Sequence, residues 1–105
     1  MDSNLPLSEQ FRIAAEHWAD KEAAASLLEE SKSAVLARRM AALGDVPVSH
    51  AERDVKSSAE WKQYIDAMCE ARAEANKAKV GLEYIRVKFQ EWQSGAADER
   101  LRARI

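Results

Sequence analysis

An unbroken run of apolar residues, spaced alternately three and four positions apart, constrains the fold of this chain more than any other feature. Its members, which we call the seam, are Trp61, Tyr64, Met68, Ala71, Ala75, Ala78, Leu82, Ile85, Phe89, Trp92 and Ala96. This spacing brings one residue to the same side of an α-helix at every turn, and it is typical of a helix that lies along another helix. Charged residues occupy many of the intervening positions, which predicts that the opposite side faces water.

The rest of the chain favours an all-α fold with a single domain. The 105 residues suit one domain, and 47% are apolar and 32% charged, with only three glycines and two prolines. This balance is expected of long solvated helices. We predict a loose N-terminus over residues 1–7, a first helix over 8–43, a connector over 44–57, a second helix over 58–94 and a basic C-terminal tail over 95–105.

Capping signals set these predicted boundaries. Ser8 is suited to cap the first helix, and Gly44 is suited to end it. Pairs with the spacing of a capping box, Ser49 with Glu52 and Ser57 with Glu60, predict a short helix around residues 50–56 and the start of the second long helix. Ser94 and Gly95 supply a stop signal, after which the tail is either a short charged helix or a frayed extension. Gly81, inside the second helix, predicts a close helix neighbour or a slight bend.

Two long helices joined by a connector predict an antiparallel hairpin shaped like a rod. A lone hairpin buries only one stripe of each helix, and three tryptophans and two phenylalanines are more than so thin a core covers. The alanines in the middle of the seam allow a close approach, and aromatic residues lie at both of its ends. We therefore expect self-association that completes a helical bundle or ring.

Few residues have the grouping that catalysis or metal binding requires. Cys69 is the single cysteine, so we expect no internal disulfide, a reducing compartment and an inert, buried thiol. His17 fits a surface or interface position, and His50, Glu52 and Asp54 would need further ligands to hold a cation. The chain lacks phosphate-binding and hydrolase motifs, a signal peptide and a long apolar run. We predict no enzyme activity, no cofactor, no membrane association and a cytoplasmic location.

A basic strip makes nucleic-acid binding the first hypothesis for function. Residues 1–76 contain 14 acidic and 9 basic side chains, whereas residues 77–105 contain 4 acidic and 7 basic ones. An aromatic ring within the strip would provide a stacking surface for single-stranded DNA, and a ring of subunits would multiply the contacts. The candidate contacts are Lys77, Lys79, Tyr84, Arg86, Lys88, Arg100, Arg102 and Arg104. The alternative is a solvated helix face whose charges compensate the helix dipole.

Residues 44–56, 71–80 and 89–94 and the arginine-rich end, within a span of roughly residues 34–104, carry a resemblance to a group of proteins. This part of the chain resembles small helical accessory proteins of temperate phages and prophages, often encoded near recombination or replication genes. The resemblance implies an accessory role in a bacterial host cell and supplies no catalytic residue. The first hypothesis is therefore an oligomeric accessory protein that supports DNA recombination or replication, with single-stranded DNA or an acidic protein as its partner. The alternative is a protein-interaction module, an inhibitor or adaptor of a host factor, that binds no nucleic acid.

Overall fold

The computed structural model describes residues 4–104, and these residues form three helices without a strand. Helix α1 spans Leu7–Ala41, the short helix α2 spans Val48–Lys56, and α3 spans Ala59–Ala103. Contacts between the start of α1 and the later half of α3, such as Lys88 with Gln10, make the two long helices antiparallel. The prediction of an all-α helical hairpin with a short connector helix is confirmed.

The chain has the rod shape that the helix lengths predicted. Its radius of gyration is 23.0 Å and its principal extents are 83 × 22 × 17 Å, whereas a compact domain of 100 residues has a radius of gyration of about 13 Å. A rod two helices thick has no position far from solvent. Among the described residues, none of the large side chains is therefore completely buried.

Helix α1 begins without the predicted serine cap. Pro6 is the capping residue, and its carbonyl accepts hydrogen bonds from the backbone N–H groups of Glu9 and Gln10 at 3.0 Å each. Ser8 lies inside the first turn, so its assignment as the cap was wrong. Proline suits this place because its extended backbone precedes the helix, and Leu7 can then pack against α3.

The end of α1 comes two residues before the predicted one. Ala41 is its last residue, and Gly44 follows in the left-handed region with a φ of 83°. The backbone N–H of Gly44 donates to the carbonyl of Ala41 at 3.1 Å, which satisfies one of the free acceptors at the helix end. Gly44 therefore does serve the turn that stops α1, because left-handed backbone has little cost only for glycine.

The connector helix was placed correctly, but its caps were not. Helix α2 begins directly after Pro47, which accepts the backbone N–H of Ala51 at 2.9 Å, and Ser49 provides no side-chain cap. Before α3 the cap is Ser58, whose Oγ accepts the backbone N–H of Trp61 at 3.2 Å. The predicted pair of Ser57 and Glu60 was thus out of register by one residue.

Helix α3 runs nine residues beyond its predicted last residue, Ser94. An interior glycine costs a helix only about 1 kcal/mol relative to alanine, and residues 96–103 are mostly strong helix formers. The helix therefore continues to Ala103 and includes most of the segment predicted as a basic tail. Of the two alternatives predicted for Gly81, a close helix neighbour or a slight bend, the first is not found, since a Cβ built there meets no neighbouring atom within 4 Å.

Candidate partner-binding segment at the end of helix α3

The first two thirds of the seam form the interface between the long helices. Ala14 of α1 packs with Leu82 and Ile85 of α3, and Ala15 and Trp18 lie against this cluster. Further along the interface, Ala25 and Ala75 are completely buried. The seam positions Trp61, Ala75, Ala78, Leu82 and Ile85 are buried, and Tyr64, Met68 and Ala71 are half-buried. The small-residue middle of the seam thus faces α1 of the same chain.

An arginine in the first third of α3 binds two glutamates of α1. Nε and Nη2 of Arg72 donate to Glu29 at 2.9 and 2.7 Å, and Nη1 donates to Glu22 at 2.6 Å. Hydrogen bonds from Arg72 lower the pKa of Glu29, and the bonds to Glu29 and Glu22 raise the pKa of Arg72. A planar guanidinium group can donate two parallel hydrogen bonds to one carboxylate. Sequence reasoning missed this contact, because it depends on the offset between the two long helices.

A hydrogen bond between the long helices fixes the register of the hairpin at its connector end, and an aromatic pair within α3 lies beside it. The hydroxyl of Tyr64 donates a hydrogen bond to the backbone carbonyl of Leu28 on α1. Trp61 stacks on Tyr64 with ring centroids 5.6 Å apart. One aromatic end of the seam is therefore covered by the hairpin itself.

The other aromatic end of the seam is uncovered, because α1 begins at Leu7. Phe89 and Trp92 are 42% and 60% exposed, and their rings stack with centroids 6.0 Å apart. Helix α3 continues past this point to Ala103. Residues 90–103, which we call the projecting segment, extend about 20 Å at a rise of 1.5 Å per residue.

A shallow cleft lies between the start of α1 and the part of α3 that directly precedes the projecting segment. It has a volume of about 400 Å³ and is lined by Leu7, Ser8, Phe11, Ile85, Arg86 and Phe89. Most of the lining is aliphatic or aromatic. The cleft lies where α1 starts, so apolar surface continues from the covered seam onto the exposed one.

The residues predicted to contact nucleic acid do not form one strip on α3. Lys79, Arg86, Arg100 and Arg104 lie to one side of the seam, and Lys77, Tyr84, Lys88 and Arg102 lie to the other, since each residue turns the helix by about 100°. The seam separates the two groups. The predicted single strip is therefore two rows that lie on different sides of α3.

The cations of these rows differ in their existing partners. Lys77 is 3.9 Å from Glu74, and Arg86 is 3.5 Å from Glu83. Arg86 also lies over the ring of Phe11 at 5.9 Å, and Lys88 lies over Tyr84 at 5.7 Å. Of the seven cations in these rows, four make no ion pair or hydrogen bond within residues 4–104, namely Lys79, Arg100, Arg102 and Arg104.

A second apolar surface on α3 was not predicted. Val80, Tyr84 and Val87, which we call the outer stripe, are all exposed and repeat the four- and three-residue spacing of the seam. They lie two positions from seam residues, which puts them roughly on the opposite side of the helix from α1. This side faces water as predicted, but it also presents these three apolar side chains. The spacing of Val80, Tyr84 and Val87 could have indicated this surface, but charged residues surround them in the sequence.

The remaining candidates for chemistry stay apart from one another. Cys69 is exposed, so the expectation of a buried thiol was wrong; the residue falls one position beyond the seam, outside the contact with α1. His17 and His50 are both exposed and lie on α1 and α2. No group of three metal-ligating side chains occurs in the part of the chain that the structure describes. Of the helices formed by residues 4–104, none is sufficiently long and apolar to cross a membrane.

Comparisons of the chain with protein-family models, with curated proteins and with solved structures give no match.

Proposed function

We propose that this protein is a non-enzymatic accessory protein of the phage type, in which the hairpin serves as a stem and the projecting segment of α3 binds a protein partner. One observation carries this proposal: the seam continues as exposed aromatic surface, with Phe89 and Trp92 uncovered next to the start of α1. Tryptophan is among the residues most enriched in binding hot spots, and Trp92 lies where another helix could bury it. The proposed role is that of an inhibitor or adaptor, acting in the cytoplasm of a bacterial host.

Photo-crosslinking in cells of the source organism tests this role. A photoreactive phenylalanine analogue replaces Trp92 in one variant and Leu27 in the control, because Leu27 is equally exposed but lies on α1 away from the projecting segment. We expect a discrete crosslinked protein from position 92 and none of that mass from position 27. Equal crosslinking from both positions, or none from position 92, would remove the basis for the proposal.

Single-stranded DNA is a second candidate partner, in support of recombination or replication. The observation that favours it is that Lys79, Arg100, Arg102 and Arg104 have no partner within residues 4–104 and lie on the same helix as the exposed rings of Tyr84 and Trp92. Cations that track a backbone and rings that stack on bases are the usual means of binding single strands.

Salt dependence separates this candidate from the first. DNA affinity should fall linearly with log salt between about 50 and 200 mM, and replacing the three terminal arginines with alanine should reduce the slope. The affinity at each salt concentration is measured by fluorescence anisotropy with a labelled thymidine oligonucleotide. Absence of binding at the lower salt concentration would eliminate the DNA candidate and leave the protein partner.

The proposal includes self-association of the chain through the outer stripe. Around Tyr84 the stripe has a symmetric pattern, with Val80 and Val87 on its two sides and then Lys77 and Glu91. An antiparallel second copy centred on Tyr84 would place Lys77 opposite Glu91 of the other chain, and the reverse. A two-fold interface requires such self-complementarity. Charge and apolar surface therefore both favour two α3 helices packed back to back.

A further inference from the structure

We propose that a second copy of the chain supports the projecting segment, so that dimerisation orders the helix that carries Trp92. This inference rests on the proposed function, because it uses the two-fold pairing centred on Tyr84, and it adds regulation of the partner site by self-association. Three features of α3 carry it. The segment lacks support within its own chain, its outer side complements an earlier part of α3, and its seam side stays open.

The first feature is the exposure of the projecting segment. Helix α1 begins at Leu7, beside Ile85 and Phe89, whereas α3 continues to Ala103. All residues of the segment are exposed except Ala96, which is half-buried. Isolated helices shorter than about 12–15 residues are marginal in water. Residues 90–103 of a single chain should therefore fray.

The second feature is what the two-fold pairing places beside this segment. In an antiparallel pair centred on Tyr84, a residue after Tyr84 meets the residue that lies equally far before Tyr84 in the other chain. Residues 90–103 therefore lie beside residues 65–78 of the other chain, as Glu91 lies beside Lys77. The turns that extend past α1 are thus covered on their outer side by another α3.

A second complementary charge pair lies within this overlap. Arg102 and Asp66 are each eighteen positions from Tyr84, so they lie at the same level in the two chains. At about 100° per residue, both are turned by a similar angle from the outer stripe. Arg102 has no partner within residues 4–104, and Asp66 is exposed and accepts a hydrogen bond from Lys62 at 2.8 Å. By symmetry this pair would form twice.

The other residues of the overlap are compatible with close packing. Ala73 and Gly95 are each eleven positions from Tyr84, so two small residues meet there. Glu70 and Asp98 also lie at the same level and have like charges. They are about 80° apart around the helix axis, because Asp98 lies on the stripe and Glu70 at its edge. The complementary pairs therefore outnumber the like-charged one.

The third feature is that this pairing leaves the partner site open. Phe89 and Trp92 are on the seam side of α3, away from the outer stripe, and are 42% and 60% exposed. A partner that binds the helical segment would not have to order it once a second copy has done so. By linkage, binding of the partner would strengthen the dimer by the same factor.

Amide hydrogen exchange of the full chain tests this coupling without a partner. Exchange at residues 93–103 should slow at least about threefold as the protein concentration is raised through the range in which light scattering records dimer formation. Residues 14–25 of α1 are the internal reference, because they lie away from the pairing surface. Their exchange should not depend on concentration.

A substitution outside the segment separates this effect from a local one. Residue 66 lies about 40 Å along α3 from residue 93. We expect Asp66→Lys to speed exchange at residues 93–103 at least about threefold where the unaltered chain is dimeric, and the double variant with Arg102→Glu to restore slow exchange. Lys62→Gln is the matched control, since it removes the bond to Asp66 but retains the charge that meets Arg102. It should change exchange by less than about 1.5-fold. Both positions are exposed, and circular dichroism verifies that the variants fold.

Three results would overturn the inference. They are a dimer whose residues 93–103 exchange as fast as those of the monomer, equal exchange in Asp66→Lys and Lys62→Gln, and a chain that stays monomeric at high micromolar concentration. Failure here is distinct from failure of the proposed function. A protein crosslinked at position 92 without concentration-dependent exchange would retain the partner site and reject the coupling. Slow exchange in the dimer without a crosslinked protein would do the reverse.

Discussion

At the scale of single residues, alanines decide how closely the two long helices approach. Ala25 and Ala75 have no exposed surface, and no larger side chain fits at such positions without moving a helix. We expect Ala75→Trp to lower the free energy of unfolding by about 1–3 kcal/mol or more, as overpacking does. Ala73→Trp, two residues away on the exposed side, should change it by less than about 0.5 kcal/mol. Urea unfolding measures both variants, and equal stability of the two would place Ala75 outside the interface.

The contact between Arg72 and Glu29 gives the stability a defined pH dependence. The hydrogen bonds from Arg72 lower the pKa of Glu29 below its ordinary value of 4.5. The Glu29 carboxylate therefore binds a proton less readily in the folded chain than in the unfolded chain. The stabilisation that its contact with Arg72 provides is thus complete above about pH 5. It is lost as the pH falls through the lowered pKa of Glu29.

Replacing Glu29 tests this dependence. Glu29→Gln should flatten the decline in melting temperature between about pH 5 and pH 3, because the variant has no carboxylate at this position to protonate. Glu30→Gln is the control, since Glu30 is the neighbouring exposed carboxylate and makes no contact with Arg72. Identical pH profiles for the two variants would show that the bond at Arg72 contributes nothing measurable.

Residue-level contacts were the least predictable part of this chain. Heptad spacing identifies which residues of α3 face a partner helix, but the pairing of Arg72 with two glutamates depends on the offset between the helices. That offset is fixed by contacts such as the one between Tyr64 and the Leu28 carbonyl, which involve residues 36 positions apart. A spacing pattern within one helix contains no information about it.

At the scale of helices, a residue that often ends a helix is not sufficient to end a long one. The seam predicted α3 and its covered side, because periodicity over many turns outweighs any single residue. The serine and glycine at positions 94 and 95 do not stop the helix, whereas Gly44 helps to stop α1 together with the proline that follows. A glycine ends a helix where its backbone turns left-handed, and sequence does not reveal that conformation.

Substitutions at the two glycines should therefore have opposite effects. Gly95 is helical with open space around a Cβ, so Gly95→Ala should stabilise the projecting segment locally by about 0.5–1 kcal/mol. Gly44→Ala should instead destabilise the hairpin by about 1 kcal/mol, because its φ is 83°. Amide hydrogen exchange measures the first effect at residues 93–103, and thermal unfolding measures the second. Faster exchange in Gly95→Ala would indicate that the segment is not a regular helix in solution.

At the scale of the whole molecule, a rod of 83 × 22 × 17 Å cannot shield its large side chains from water. The hairpin was predictable because helix length alone excludes a compact domain. The outer stripe was not, because a few apolar residues among charges resemble an ordinary solvated surface. A second copy packed on the outer stripe would thicken the rod, and pairing of Lys77 with Glu91 would set its direction.

We therefore expect a dimer with about twice the 11.8 kDa mass of the chain, observed by light scattering. Small-angle scattering should show a thicker cross-section and a length close to that of one chain, since back-to-back pairing centred on Tyr84 overlaps the two rods along most of α3. Either Lys77→Glu or Glu91→Lys alone should weaken the dimer, because like charges would then meet twice across the two-fold axis. The double variant exchanges the charges and should restore dimerisation. A monomeric mass at high micromolar concentration would reject self-association, and a dimer unaffected by the single variants would place the interface on another surface.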